Sequence, residues 1–156
     1  MIHLKPPAVY SEDKNLPSIF LAGSIEMGKA EDWQSYVANA LSDLEVLIIN
    51  PRCDTWDNSW EQRIDNPVFR AQVEWELQGL ETASYRIFNF IPDTMSPITL
   101  MELGLFAEKG NCIVHCPKGY LRKGNVDIVC ARYGVLTANS LEEAIDWLRQ
   151  NINSAN

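Results

Sequence analysis

The chain has 156 residues, enough for one domain around one sizeable core, and its composition of 46% apolar and 22% charged residues is that of an ordinary globular protein. The net charge is −8 with no run of Lys or Arg, which excludes a nucleic-acid backbone or an anionic membrane as the expected partner. No apolar run has the length of a membrane span and no secretory leader is visible, so a cytoplasmic protein with a small or uncharged ligand is expected.

In chain order, residues 1–17 are polar and broken by prolines, and read as a tail. SIFLAG (18–23) is a short apolar run closed by Gly23, the pattern of a buried strand and a turn. AEDWQSYVANALSDL (30–44) places Trp33, Val37, Ala40, Leu41 and Leu44 at helical spacing, and EVLIINP (45–51) is a second buried strand stopped by Pro51. RCDTWDNSW (52–60) is polar and aromatic without a period, hence a loop. From Asn66 to Glu81 a helical pattern returns, with Pro67 suited to the first turn.

YRIFNFIP (85–92) predicts a third strand and SPITLMELGLFAEKG (96–110) a helix, with Ser96 as N-cap, Pro97 at the first helical position and Gly110 at the stop. NCIVHCP (111–117) predicts a fourth strand, VDIVCARYGV (126–135) a short fifth one, and SLEEAIDWLRQNI (140–152) an amphipathic helix opened by a Ser140–Glu143 capping box. The alternation implies a single doubly wound α/β domain of the flavodoxin or Rossmann-like kind spanning residues 1–156. About five parallel strands would be covered by helices on both faces. Ligands of such sheets sit beyond the carboxyl ends of the strands, where strand order reverses. That nominates the loops 23–28, 51–60 and 92–97.

Glu102 is the conspicuous residue. Ile98, Leu100, Met101, Leu103, Leu105 and Phe106 surround it, so the helix looks apolar on every side and therefore buried. An ionised carboxylate there is costly without a partner. Two structural explanations compete with a functional one: a capping box from Thr99 to Glu102, and a buried ion pair with a residue such as Arg52. In the 52–60 loop, Trp56 and Trp60 suit an aromatic shelf for a planar ring, with Asp54 and Asp57 as acceptors; a lid folded back on the core is the equal alternative. Glu74 and Glu76 flank Trp75, and either one faces the cleft or both lie on a solvated helix face. Cys53, Cys112, Cys116 and Cys130 show no CxxC pair and only His3 and His115 accompany them. Reduced thiols are expected, and no zinc site.

IFLAGSI, the segment from Gln72 to Ala83 with EWEL at its centre, the FIP loop, INPRCDTWDNSW and SPITLMELG together resemble the nucleoside 2-deoxyribosyltransferases. The likeness runs from about Ser18 to Pro117. It implies that Glu102 is the nucleophile and that Glu76 lies near the substrate sugar. Phe20 stands where an aromatic, commonly Tyr, is found, and so lacks a hydroxyl that could orient the nucleophile. Ser96 stands where an Asp engages the leaving base, which leaves Asp93, Asp54 or Asp57 to assist the base. Gly23 and Ser24 fall in the loop that lets a substrate approach the backbone. A related branch that hydrolyses deoxynucleoside monophosphates carries Arg where this chain has Glu26, so a nucleoside is expected here in place of a nucleotide.

The reaction implied is transfer of a 2-deoxyribosyl group between bases through two displacements at one carbon, by the logic of retaining glycosidases, and it needs no metal or organic cofactor. The partners implied are a nucleoside and a free nucleobase, and the assembly a homo-oligomer. Position near a helix N-terminus is expected to keep Glu102 ionised. A hydrolase on the same scaffold and a non-catalytic nucleoside-sensing module are the alternatives.

Overall fold

The computed structural model describes residues 1–10, 16–26 and 30–155. Six parallel strands form one sheet: β1 (Ile2–Leu4), β2 (Ser18–Gly23), β3 (Leu47–Ile49), β4 (Tyr85–Asn89), β5 (Cys112–His115) and β6 (Leu136–Ala138). The helices are α1 (Trp33–Ala40), α2 (Pro67–Thr82), α3 (Pro97–Phe106), α4 (Lys123–Tyr133) and α5 (Leu141–Ala155), and a 3-10 turn follows α3 at Ala107–Lys109. The doubly wound parallel architecture expected from the sequence is what the chain adopts.

Strand order is β1-β3-β2-β4-β5-β6. From central β2 the chain moves outward to β3, then returns to the other side of β2 for β4. The reversal therefore lies between β2 and β4, which pair from Ile19↔Tyr85 to Gly23↔Asn89. All six β2 residues are buried, because both its faces and both its edges are covered. Side-chain alternation divides the core. Phe20 and Ala22 pack with Trp75, Leu80, Leu103 and Phe106 on the side of α2 and α3. Ile19 and Leu21 pack with Val37, Leu41, Ala144 and Leu148 on the side of α1 and α5.

Two expectations fail. The 126–135 segment is not a strand: residues 123–133 are α4, and the last strand follows at Leu136–Ala138. A β-branched run suggested period two, yet Val126 and Cys130, four apart, are the buried pair while Ile128 is 72% exposed. Gly134, at φ 66°, takes the left-handed turn that ends the helix. The first residues are likewise no tail. Ile2–Leu4 is an edge strand in register with Leu47–Ile49, which brings the count to six.

Candidate active site

Ser24 and the residues around it knit the two loops at the reversal. Its amide donates to Asn89 O (3.0 Å), and its hydroxyl accepts from Ile91 N (3.0 Å). The Ser24, Thr94 and Ser96 hydroxyls form a triangle with sides of 2.6, 2.9 and 2.9 Å. Gly23 has no room for a side chain, since a Cβ would stand 2.4 Å from Asn89 O and 2.5 Å from the Trp33 ring. Tyr120, packed on Phe90, donates to Met95 O (2.9 Å) and fastens the loop from beneath. Glu26, Asp93 and Ser96 all adopt left-handed backbone (φ 46°, 63° and 45°), so strain is concentrated at this junction.

Ser96 is not the side-chain cap of α3 that its sequence position suggests. Its left-handed backbone turns the hydroxyl toward Ser24, and no side-chain capping bond forms. Glu26 instead binds the turn that leads into α3: its Oε1 accepts from Met95 N (3.0 Å) and Ser96 N (2.9 Å). The protein's own carboxylate thus sits just ahead of α3, on the side from which an anion would approach the positive end of its dipole.

Glu102 lies in the second turn of α3 on the face that carries Thr99, Leu103 and Phe106, and is 7% exposed. The capping-box explanation fails, because Thr99 is itself a buried helical residue. The Arg52 pair fails as well: that guanidinium lies 3.5 Å from Asp32 and donates to Ala30 O and Glu31 O. The charge that acts on Glu102 among the described residues is that of Glu76, of the same sign. Burial first, and that repulsion second, push the Glu102 carboxyl up to about 8. The expectation of an ionised group at the helix N-terminus is therefore overturned at neutral pH. Burial and the Glu76 charge together outweigh the dipole of α3.

Of the EWEL pair, Glu74 turns outward and lies 3.5 Å from Arg70, while Glu76 turns in. Burial raises the Glu76 carboxyl to about 7 although the residue as a whole keeps some solvent contact, and a bond from Gln72 Nε2 to its Oε1 (2.7 Å) opposes the rise. Gln72, one turn earlier on α2, also donates to Pro51 O (3.3 Å), which ties Glu76 to the loop after β3. Sequence reading passed over Gln72; its spacing four residues before Glu76 was the available signal.

The remaining candidates are placed less centrally. Phe20 is fully enclosed among core residues, so in this conformation its ring serves packing and meets no open cleft. Asp93 is exposed on the loop before α3. Asp54, with its side chain 70% exposed, pairs with Lys5 (2.9 Å), and Asp57 accepts from Ser59 N (2.8 Å) within its own turn. Trp56 and Trp60 pack on each other at 5.2 Å, and Trp56 meets Phe69 edge-on at 6.5 Å. They form a small cluster over the start of α2, neither a bare shelf nor part of the main core.

No helix is long and apolar enough to cross a membrane, and among the described residues no three His, Cys, Asp or Glu side chains converge on a metal-sized site. Similarity to known proteins agrees with the fold. A crystal structure of a conserved protein from Enterococcus faecalis V583 superposes with a TM-score of 0.62 over 87% of this chain and 99% of that one, at 12% identity. No curated protein matches the sequence. A family model described as "Nucleoside 2-deoxyribosyltransferase like" matches residues 16–120, which carry Ser24, Glu26, Glu76, Ser96 and Glu102. The chain belongs to the nucleoside 2-deoxyribosyltransferase-like family.

Proposed function

We propose that the protein transfers the 2-deoxyribosyl group of a deoxynucleoside to a second purine or pyrimidine base with retained configuration. The observation that carries this reading is a nearly enclosed Glu102 that has a second carboxylate, Glu76, as its charged neighbour. Such a pair is unfavourable in the empty protein and becomes favourable when positive charge develops between or beside its members. A Glu102 oxygen attacks the anomeric carbon as the carbon–nitrogen bond breaks, and the electron pair leaves with the base, which takes up a proton. The incoming base then forms its bond to the same carbon through a ring nitrogen that gives up its proton, the ester to Glu102 breaks, and the carboxylate is restored. The oxocarbenium-like transition states on either side pair with Glu102 and Glu76 where the ground state cannot. Enclosure also keeps water from the ester, which favours a base over water as acceptor.

Glu26 supports a nucleoside as donor. A 5′-phosphate seeking the amides of Met95 and Ser96 would meet a carboxylate already bonded to both. Chromatography of deoxyinosine incubated with adenine tests the reading: deoxyadenosine and hypoxanthine are expected together, and deoxyinosine 5′-monophosphate is expected to react at least about a hundredfold more slowly. Hypoxanthine without deoxyadenosine would make the protein a hydrolase. Binding of deoxyinosine without any turnover would make it a sensing module.

The same reading includes a homo-oligomer. The sequence expectation that α3 is buried all round does not hold in the single chain. Ile98, Met101 and Leu105 recur on one face and, with Met95 before them, are each more than half exposed. A second copy presenting the same helix would cover them, since every copy carries the same self-complementary stripe. Light scattering at micromolar concentration is expected to give a dimer or larger, and Met101→Glu to shift it toward the monomer. A wild-type monomer would remove this part of the proposal.

A further inference from the structure

Residues 1–10 precede the matched region 16–120, and the family reading gives them no task. Their contacts are specific. Asn50 N donates to Leu4 O (2.9 Å), Lys5 pairs with Asp54 (2.9 Å), and beyond Pro6 and Pro7 the chain lies down on α2. There Trp75 Nε1 donates to Ala8 O (2.8 Å), Tyr10 Oη donates to Trp75 O (2.9 Å), and the two rings stack at 5.1 Å and 28°. A phenol spending its hydroxyl on a helix carbonyl is an unusual fastening, because that carbonyl already has a helical partner available.

The location gives the contact its meaning. On a helix, Gly79 is adjacent to both Trp75 (four residues back) and Glu76 (three back). Tyr10 Oη hangs directly over Gly79: a Cβ there would lie 2.4 Å from the hydroxyl and 2.8 Å from the Phe20 ring. Tyr10 from outside and Phe20 from the sheet thus meet over the bare backbone one turn along from Glu76. We propose that residues 5–10 are a strap belonging to the active site, in which Tyr10 is a positioning residue that holds the Trp75–Glu76 turn and seals the Glu76 carboxyl from water.

Electrostatics point the same way. Burial is the largest cause of the high Glu76 value, and the Tyr10 phenol is itself raised, by burial and then by Glu76. The titratable groups facing Glu76 are Glu102 from α3 and Tyr10 from the strap; Arg70 and Glu74 pair with each other on the outer side of α2. The inference depends on the proposed function only in counting Glu76 as part of the site.

The test follows the Glu76 side-chain carboxyl carbon by NMR through a pH titration in a Glu102→Gln background, where Glu76 titrates without its coupled neighbour. With the strap intact the midpoint is expected near the high value set by burial. Tyr10→Ala is expected to lower it by about one unit by admitting water, whereas Tyr10→Phe, which keeps the ring, leaves it within about a few tenths. In the Glu102 protein, Tyr10→Ala is expected to lower kcat for base exchange about tenfold. Tyr10→Leu carries the same comparison if the alanine variant does not fold. A midpoint that stays put while the melting temperature falls would show the strap to be structural and overturn the inference. Absence of base exchange in the unaltered protein would instead sink the proposed function and leave the titration result standing.

Discussion

Replacing Glu102 by Gln is expected to abolish base exchange and, at the same time, to stabilise the protein at alkaline pH. On the proposed function the change removes the nucleophile and with it the covalent route, a drop of about four orders of magnitude or more in kcat. The stability effect has the opposite sign. The Glu102 carboxyl is held at about 8 in the fold, above its ordinary value of 4.5, so the folded state resists giving up this proton. Its contribution is undiminished below the unfolded value, where both states hold the proton. Stability then falls as pH rises from there to about 8, and levels off above. The full loss is on the order of 3–5 kcal/mol for a group so enclosed. Glutamine has nothing to ionise and escapes that loss. Thermal melts at pH 5 should nearly coincide, while at pH 8.5 the Gln variant should melt about ten degrees higher. Equal melting temperatures at pH 8.5 would show that Glu102 finds solvent or a cation in solution.

On the proposed function, this opposition gives a reason why a residue so poorly suited to its surroundings stands on α3. Water could relieve Glu102, but water would also cleave a glycosyl ester. Arg52 could neutralise it, but a paired carboxylate attacks weakly, and that guanidinium is committed to Asp32 and to the carbonyls of Ala30 and Glu31. Enclosure without a cation leaves a developing oxocarbenium as the strongest available partner.

Much of the fold was legible because the central strands are nearly continuous apolar runs with sharp ends. SIFLAG is β2 to the residue, and Asn66 caps α2 by accepting from Val68 N and Phe69 N as its position ahead of Pro67 suggests. The edges were not legible. β1 and β6 are three residues each and largely exposed, so neither shows the buried run that identifies a central strand. α4 escaped because its inward positions, Val126 and Cys130, lie in a run of β-branched residues that also satisfies a strand. At the candidate site, the motif points to Glu102 and Glu76, but the contacts around them come from elsewhere in the chain. Glu26 reaches α3 across about seventy residues, and Tyr10 reaches α2 across sixty-five. No local spacing encodes such contacts. The misreading of Ser96 has the same origin. A serine before a proline at a helix start is the ordinary N-cap pattern, and only the left-handed turn at that residue, which brings its hydroxyl to Ser24, takes it out of that role.

The acid limb of kcat/KM gives the second large effect. If the protein is the proposed transferase with Glu102 as its nucleophile, two carboxyls govern this limb: Glu76, raised to about 7, and Glu102, raised to about 8, which titrate as a coupled pair. The nucleophile is ionised only after both are gone, so kcat/KM is expected to rise with pH up to about 8, far above the limb of an ordinary carboxylate. Glu76→Gln removes the like charge but leaves the burial. The Glu102 value should therefore fall without reaching its ordinary range, because burial is the larger of its two causes. The limb is expected to move to lower pH by about one unit, while the plateau drops about a hundredfold through loss of the carboxylate beside the sugar. The two changes oppose each other on the acid side, so the variant looks least impaired near pH 6 and most impaired near pH 8. A variant with a lowered plateau and an unmoved limb would mean that Glu76 acts on the substrate alone. A moved limb with an intact plateau would mean that its whole contribution is to hold the Glu102 proton in place until the site is filled.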